Sequence, residues 1–82
     1  MIKIKDNINL KELEKYGFIL RHYNWGIVYE RPLKYPEYSS QSIYIDINMR
    51  EIDEEEERYN VIDVKKEHIQ DLIKDNLVEE VD

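Results

Sequence analysis

The chain has no cysteine in its 82 residues, which excludes a disulfide framework, a thiolate nucleophile and any cysteine-ligated zinc or iron-sulfur site. Stability must come from packing. Alanine is absent as well, and glycine and proline occur twice each. The two glycines, Gly17 and Gly26, both have a local turn to make, so no glycine-rich loop is left to cradle a phosphate, and nucleotide binding through a known motif is excluded. Long apolar runs are also missing. The chain opens Met1-Ile2-Lys3-Ile4-Lys5-Asp6, alternating where a signal peptide or membrane span needs an unbroken apolar segment. Neither export nor membrane insertion is signalled, and a cytoplasmic location is expected.

What the chain does have is 41% hydrophobic and 38% charged residues, enough apolar material for one core under a densely charged surface. A chain this short supports a single domain over residues 1–82. It is rich in Ile (12), Lys (8), Tyr (7) and Asn (6), a usage that points to AT-rich coding. Charge is placed unevenly. Residues 1–50 carry eight Lys/Arg against six Asp/Glu, a balance of +2, and residues 51–82 carry four against thirteen, a balance of −9, together the −7 of the whole chain.

Local patterns predict an α+β fold. Ile2 and Ile4 alternate with Lys as a short edge strand. Asn9 is an N-cap with Glu12 three residues on and an Ile8/Leu13 staple, so a helix begins at Leu10. It ends at Gly17, whose left-handed conformation would bring Phe18 back to Leu13. Strands at 18–23 and 27–31 flank Asn24-Trp25-Gly26 as a hairpin. Pro32 and Pro36 mark 32–41 as a loop. Ile43, Ile45 and Ile47 alternate with Tyr44, Asp46 and Asn48 in the cleanest strand pattern, expected to be central. Met49-Arg50 turns the chain toward a return strand at Glu51-Ile52. The acidic run Asp53 to Glu57 is expected to repel itself into a projecting linker, and Tyr59 to Ile62 to pair again. Asp63 would cap a second helix buried through Ile69, Leu72 and Ile73, and Asn76 would close it. Leu77 to Val81 fits either a continued helix or a short final strand. The expected whole is a mostly antiparallel sheet of about four to five strands with two helices packed on one face.

Catalytic equipment is thin. Ser39, Ser40 and Ser42 lie in or beside the proline-containing loop, and His22 and His68 stand on different elements, both read as ordinary structural residues. The run Glu51, Asp53, Glu54, Glu55, Glu56, Glu57 lacks the glycine and alternating spacing of a calcium loop, so no metal and no cofactor is expected. Aromatics cluster instead. Eight of the nine lie in the first 50 residues, among Arg21, Arg31 and Lys34. Such a set packs a core, anchors a protein or stacks bases, in that order of preference. Nucleic acid ranks last because a chain at −7 is repelled by phosphates.

The strings Ile8 to Phe18, Ile43 to Ile52 with its Met49-Arg50-Glu51-Ile52 turn, and Asp71 to Glu79 resemble small uncharacterised proteins carried by phages and prophages of low-GC Gram-positive bacteria, in which a Gly often stands where Asn76 is. Together they cover about a third of the chain. The resemblance implies a compact accessory protein acting in the host cytoplasm on a component of defence or transcription, and it brings no functional residue with it. From all this the leading expectation is a non-enzymatic protein-interaction module that binds or inhibits a host protein with a basic surface. The expected contacts are Tyr23, Trp25 and Tyr29 at the hairpin tip and Glu54, Glu55, Glu56 and Glu57 in the acidic run. The alternatives are a nucleic-acid-binding protein using the aromatic hairpin, and a homodimer joined through strand edges.

Overall fold

The alternating isoleucines of residues 43–47 form the middle of the protein. In the computed structural model, which describes residues 1–33, 41–57 and 60–81, and side chains at all of these except 56 and 57, Ser42–Asp46 is the central strand of a five-stranded antiparallel sheet. Numbering the strands β1 (Ile2–Ile4), β2 (Ile19–Tyr23), β3 (Gly26–Pro32), β4 (Ser42–Asp46), β5 (Ile52–Glu57), β6 (Asn60–Asp63) and β7 (Val78–Glu80), the sheet runs β2-β3-β4-β5-β6, and β1 pairs with β7 in a separate two-stranded ribbon. Of the loop expected at 32–41, Pro32 instead ends β3 opposite Ser42 and the Leu33 amide donates to Gln41 O; residues 34–40, with Lys34, Tyr35, Tyr38, Ser39 and Ser40, lie outside the described residues, as does Tyr59.

Register gives the sheet two faces of different chemistry. Tyr29 pairs with Ile45 and Arg31 with Ile43, Ile45 with Ile52 and Ile43 with Glu54, and these side chains share the inner face. Ile43, Ile45 and Ile52 are fully buried there and join Leu13, Phe18, Ile69 and Leu72 in one core with Ile2 and Ile4 of the ribbon. Each such isoleucine truncated to Ala would cost about 2–5 kcal/mol. The covering layer is thus part helix and part ribbon, more varied than the expected pair of helices.

The first helical segment has the expected bounds and caps but is a 3₁₀ helix, Leu10–Tyr16. Asn9 Oδ1 accepts from the Lys11 amide at 3.0 Å. The Glu12 carboxylate accepts from Lys15 Nζ at 3.0 Å, while its amide donates to Asn9 O at 2.9 Å. The reason for the tighter winding is in the spacing. Leu10, Leu13 and Tyr16, the residues packed on the core, recur every third position, which three residues per turn place in one line. The closing turn is the expected one: Gly17 at φ 87°, with the Phe18 amide on Leu13 O at 3.2 Å and the Gly17 amide on Glu14 O at 3.2 Å. The second helix ends the same way. Asn76 takes φ 61°, and the Leu77 and Asn76 amides reach Leu72 O and Ile73 O, each at 3.0 Å. β7 follows directly.

Two expectations fail, for related reasons. The acidic run is no projecting linker but β5, an interior strand of the sheet. Alternation splits its charges between faces, leaving Asp53 and Glu55 outward and turning Glu54 inward. Glu54 is only 1% exposed, and its Oε1 accepts from the Lys65 amide at 2.8 Å and lies 2.8 Å from His68 Nδ1. Asp63, expected to cap the second helix, instead ends β6 opposite Asp53. Val64 and Lys65 continue extended along β5, with the Val64 amide on Ile52 O, because Glu54 needs that backbone as its partner. The helix α1 then starts only at Gln70–Lys74, after a 3₁₀ turn at Lys66–His68.

Candidate functional site

Outward side chains of the sheet build a concavity. Its floor is Val28, nearly buried although it points away from the core, and its wall is a set of three rings. The Tyr23-Asn24-Trp25-Gly26 turn projects Trp25 back over the sheet, where its indole stacks on Tyr23 with centroids 5.0 Å apart and planes 7° from parallel. Tyr44 of β4 meets the indole edge-on at 5.9 Å. Such pairs prefer these two geometries, and the contacts hold an otherwise exposed ring in place. Trp25 remains 67% exposed.

Opposite the rings stand carboxylates. The concavity, about 730 Å³ in volume, is lined by Asp46, Glu51, Asp53 and Glu55 along with Met49 and Val61, and no basic side chain is among its described lining residues. Tyr44 connects the halves: its hydroxyl donates to Glu55 Oε2 at 3.1 Å, and its pairing partner on β5 is Asp53. Burial, followed by the bond to Glu55, pushes the Tyr44 hydroxyl well above the ordinary tyrosine range. Asp53 is also raised, first by burial and then by the charges of Glu51, Asp63 and Asp46. Tyr23 donates to Glu30, which also accepts from Ser42 Oγ at 2.8 Å, and the bond to Glu30 raises the Tyr23 hydroxyl.

The expected contact residues divide. Tyr23, Trp25 and Glu55 come together in this one concavity, although they lie thirty residues apart and were read as two separate patches. Tyr29 and Glu54 are corrections: both face the core, at 7% and 1% exposure, because each occupies an inward register position, and neither is open to a partner. The side chains of Glu56 and Glu57 lie outside the described residues. Tyr44, Asp46, Glu51 and Asp53 complete the site and were missed as contacts. The outward alternation of Tyr44 and Asp46 along β4 was the available signal.

No family model, curated protein or solved structure matches this chain. The site is therefore read from its geometry.

Arg31 belongs elsewhere than the basic, base-stacking set in which it was read. Its guanidinium lies 4.5 Å from the Phe18 ring centroid, donates to Tyr16 O at 2.9 Å and His68 O at 3.0 Å, and pairs with Asp71 at 2.6 Å. It ties β3 to all three helical segments. Burial pushes the Asp71 carboxyl up, but the hydrogen bond and charge of Arg31 outweigh it and hold the group below its ordinary value. A second cleft, about 410 Å³, lies beside this staple and is lined by Arg31, Glu67, His68 and Asp71 among others. Ser42 and His68 face opposite sides of the sheet, Ser42 bonded to Glu30 and His68 to Glu54. His22 is exposed on β2. Among the described residues no three His, Asp or Glu side chains are placed to hold a metal ion, and no helix is long and apolar enough to cross a membrane.

Proposed function

We propose that this protein is a non-enzymatic binding module that uses the outward face of its sheet to hold a protein partner with a basic surface. The observation that carries the reading is the pairing of a largely exposed Trp25 with four carboxylates, and no cation among the described lining residues, in one concavity. An exposed tryptophan supplies large rigid contact area, and a single-sign wall of charge steers a complementary partner toward it. Asp53 is raised first by burial and then by the charges of Glu51, Asp63 and Asp46, and a cation on the partner offsets that cost. The same charges disfavour a polyanion, and with Arg31 tied internally the aromatic hairpin has lost one of the basic residues on which a nucleic-acid reading relied.

The test is an affinity capture from lysate of a low-GC Gram-positive bacterium with wild type, Trp25→Ala and Asp53→Asn/Glu55→Gln, followed by direct binding of the captured protein after purification. A protein retained by wild type, lost from both variants and binding directly in purified form supports the reading. Equal retention by all three, or retention of nothing, sinks it.

A further inference from the structure

The concavity is more specific than an acidic patch. Three features narrow the cation it suits. A flat aromatic surface is offered to the ligand, because the indole is braced by Tyr23 on one side and Tyr44 at its edge and still stays open. The carboxylates stand along a strand, with Asp53 and Glu55 two residues apart on β5 and so roughly 6–7 Å from each other at the backbone. They are also spread out, since no three of the described acidic groups close on one point. A compact ammonium is best served by converging oxygens. A planar cation with several donors is best served by a ring to stack on and acceptors set apart along its edge.

We infer that the concavity receives an arginine side chain from a basic segment of the partner protein, its guanidinium stacked on Trp25 and forked toward Asp53 and Glu55. The inference rests on the binding reading above and names the residue the partner must present. Glu55 is already oriented by the Tyr44 hydroxyl, which leaves its second oxygen for the ligand. Asp46 is occupied by its own turn, where Oδ2 accepts from the amides of Asn48 and Met49. Among the described residues Asp53 has no such bond to give up. The guanidinium thus meets two carboxylates of different character, one held by Tyr44 and one crowded by Glu51, Asp63 and Asp46.

Trp25 is the only tryptophan of the chain, so its fluorescence reports on the site directly. The experiment titrates wild type with acetylated, amidated tri-arginine and tri-lysine peptides of equal charge, and repeats both by calorimetry on Trp25→Ala and on Asp53→Asn/Glu55→Gln. Stacking predicts saturable binding with the arginine peptide at least about threefold tighter than the lysine peptide. The preference should vanish in Trp25→Ala, and affinity for both peptides should fall roughly tenfold in the carboxamide variant. Thermal melts of each variant check that the fold is kept. Equal affinity for the two peptides, a preference that survives Trp25→Ala, or no saturable change with either peptide overturns the inference. A partner captured through Trp25 by wild type that shows no arginine dependence leaves the binding reading standing and removes this one. Failure of both capture and peptide removes both.

Discussion

Replacing Asp53 by Asn separates what the sheet needs from what its outward face is for. Asp53 sits opposite Asp63 on β6 and opposite Tyr44 on β4, with Glu51 and Asp46 adding to the negative field around it. Its carboxyl is raised above the ordinary 3.8, by burial first and by Glu51, Asp63 and Asp46 after that. An acid whose folded value is raised gives stability that is complete below its unfolded value and is lost as pH climbs through the folded one. Near neutral pH the ionised Asp53 is therefore a net cost, and the nearly isosteric amide removes it. Like charges directly across a sheet cost about 0.2–1 kcal/mol, and with the additional carboxylates the gain for Asp53→Asn is about 1 kcal/mol at low salt. For a domain of this size that is a rise in Tm of about 4–8 °C. Urea unfolding followed by circular dichroism near neutral pH, with an unchanged slope, measures it. The gain should shrink at high salt and disappear in acid where the wild-type group is already neutral. An Asp53→Asn protein no more stable than wild type near neutral pH, or a gain that persists in acid, would refute the reasoning. The same substitution should weaken binding of the arginine peptide, so stability and binding move in opposite directions, as expected where a strained surface is kept for a ligand.

Other substitutions test the frame around the site. Arg31→Met keeps the aliphatic stem but strips Tyr16 O, His68 O and Asp71 of their donor, with an expected loss of about 3 kcal/mol in chemical denaturation; a loss under about 1 kcal/mol contradicts the staple. Because Asp71 is held low in the fold, its share of that stability is present above the ordinary 3.8 and is lost as pH falls through the folded value, so the gap between wild type and Arg31→Met should narrow in acid. Asn76→Gly relieves a left-handed backbone at φ 61° at the expense of an exposed bond from Lys5 Nζ, and a stabilisation of about 0.5 kcal/mol is expected in thermal melts. Arg50→Gly relieves a similar φ of 64° but removes the guanidinium that donates to Lys5 O and Ile8 O at 2.9 and 2.6 Å. That change should destabilise by about 1 kcal/mol, and a stabilised variant would show that the two bonds contribute nothing.

Elements whose signals are local were legible in the sequence. The Asn9 and Gly17 caps, the Asn24-Trp25-Gly26 hairpin, the alternation of β4 and the Asn76 stop are each decided by neighbours a few residues away, and each holds, except that Ile47 and Asn48, expected to extend β4, lie in the turn after it. The 3₁₀ winding was written in the period-three spacing of Leu10, Leu13 and Tyr16, which is easily taken for a short α-helix. β5 was not legible. A run of five acidic residues carries no hydrophobic alternation, and the groups that make an inward Glu54 tolerable, Lys65 and His68, stand 11 and 14 residues downstream. The site failed to assemble in the sequence for the same kind of reason. Trp25, Tyr44 and Asp53 meet only through the register of β3, β4 and β5, and register is a property of the whole sheet. Arg31 was misread because a cation beside aromatics looks alike whether it faces a ligand or the underside of a helix.

The β1–β7 ribbon bears on how the chain acquires its structure. Ile2 pairs with Glu80 and Ile4 with Val78, and the Val81 amide reaches Met1 O, so the core cannot close around Ile4 until residues near position 80 have been synthesised. Closing a loop of this length carries only a slowly growing entropic cost, yet it must be met before the ribbon's contacts return anything, which sets the step late in folding. A nascent chain that has already released residues 19–32 therefore still lacks the strand that covers Ile2 and Ile4 in the finished protein. Amide exchange at Ile4, which donates to Arg50 O, and at Lys5, which donates to Leu77 O, should accordingly report the opening of the whole domain and not the fraying of an end.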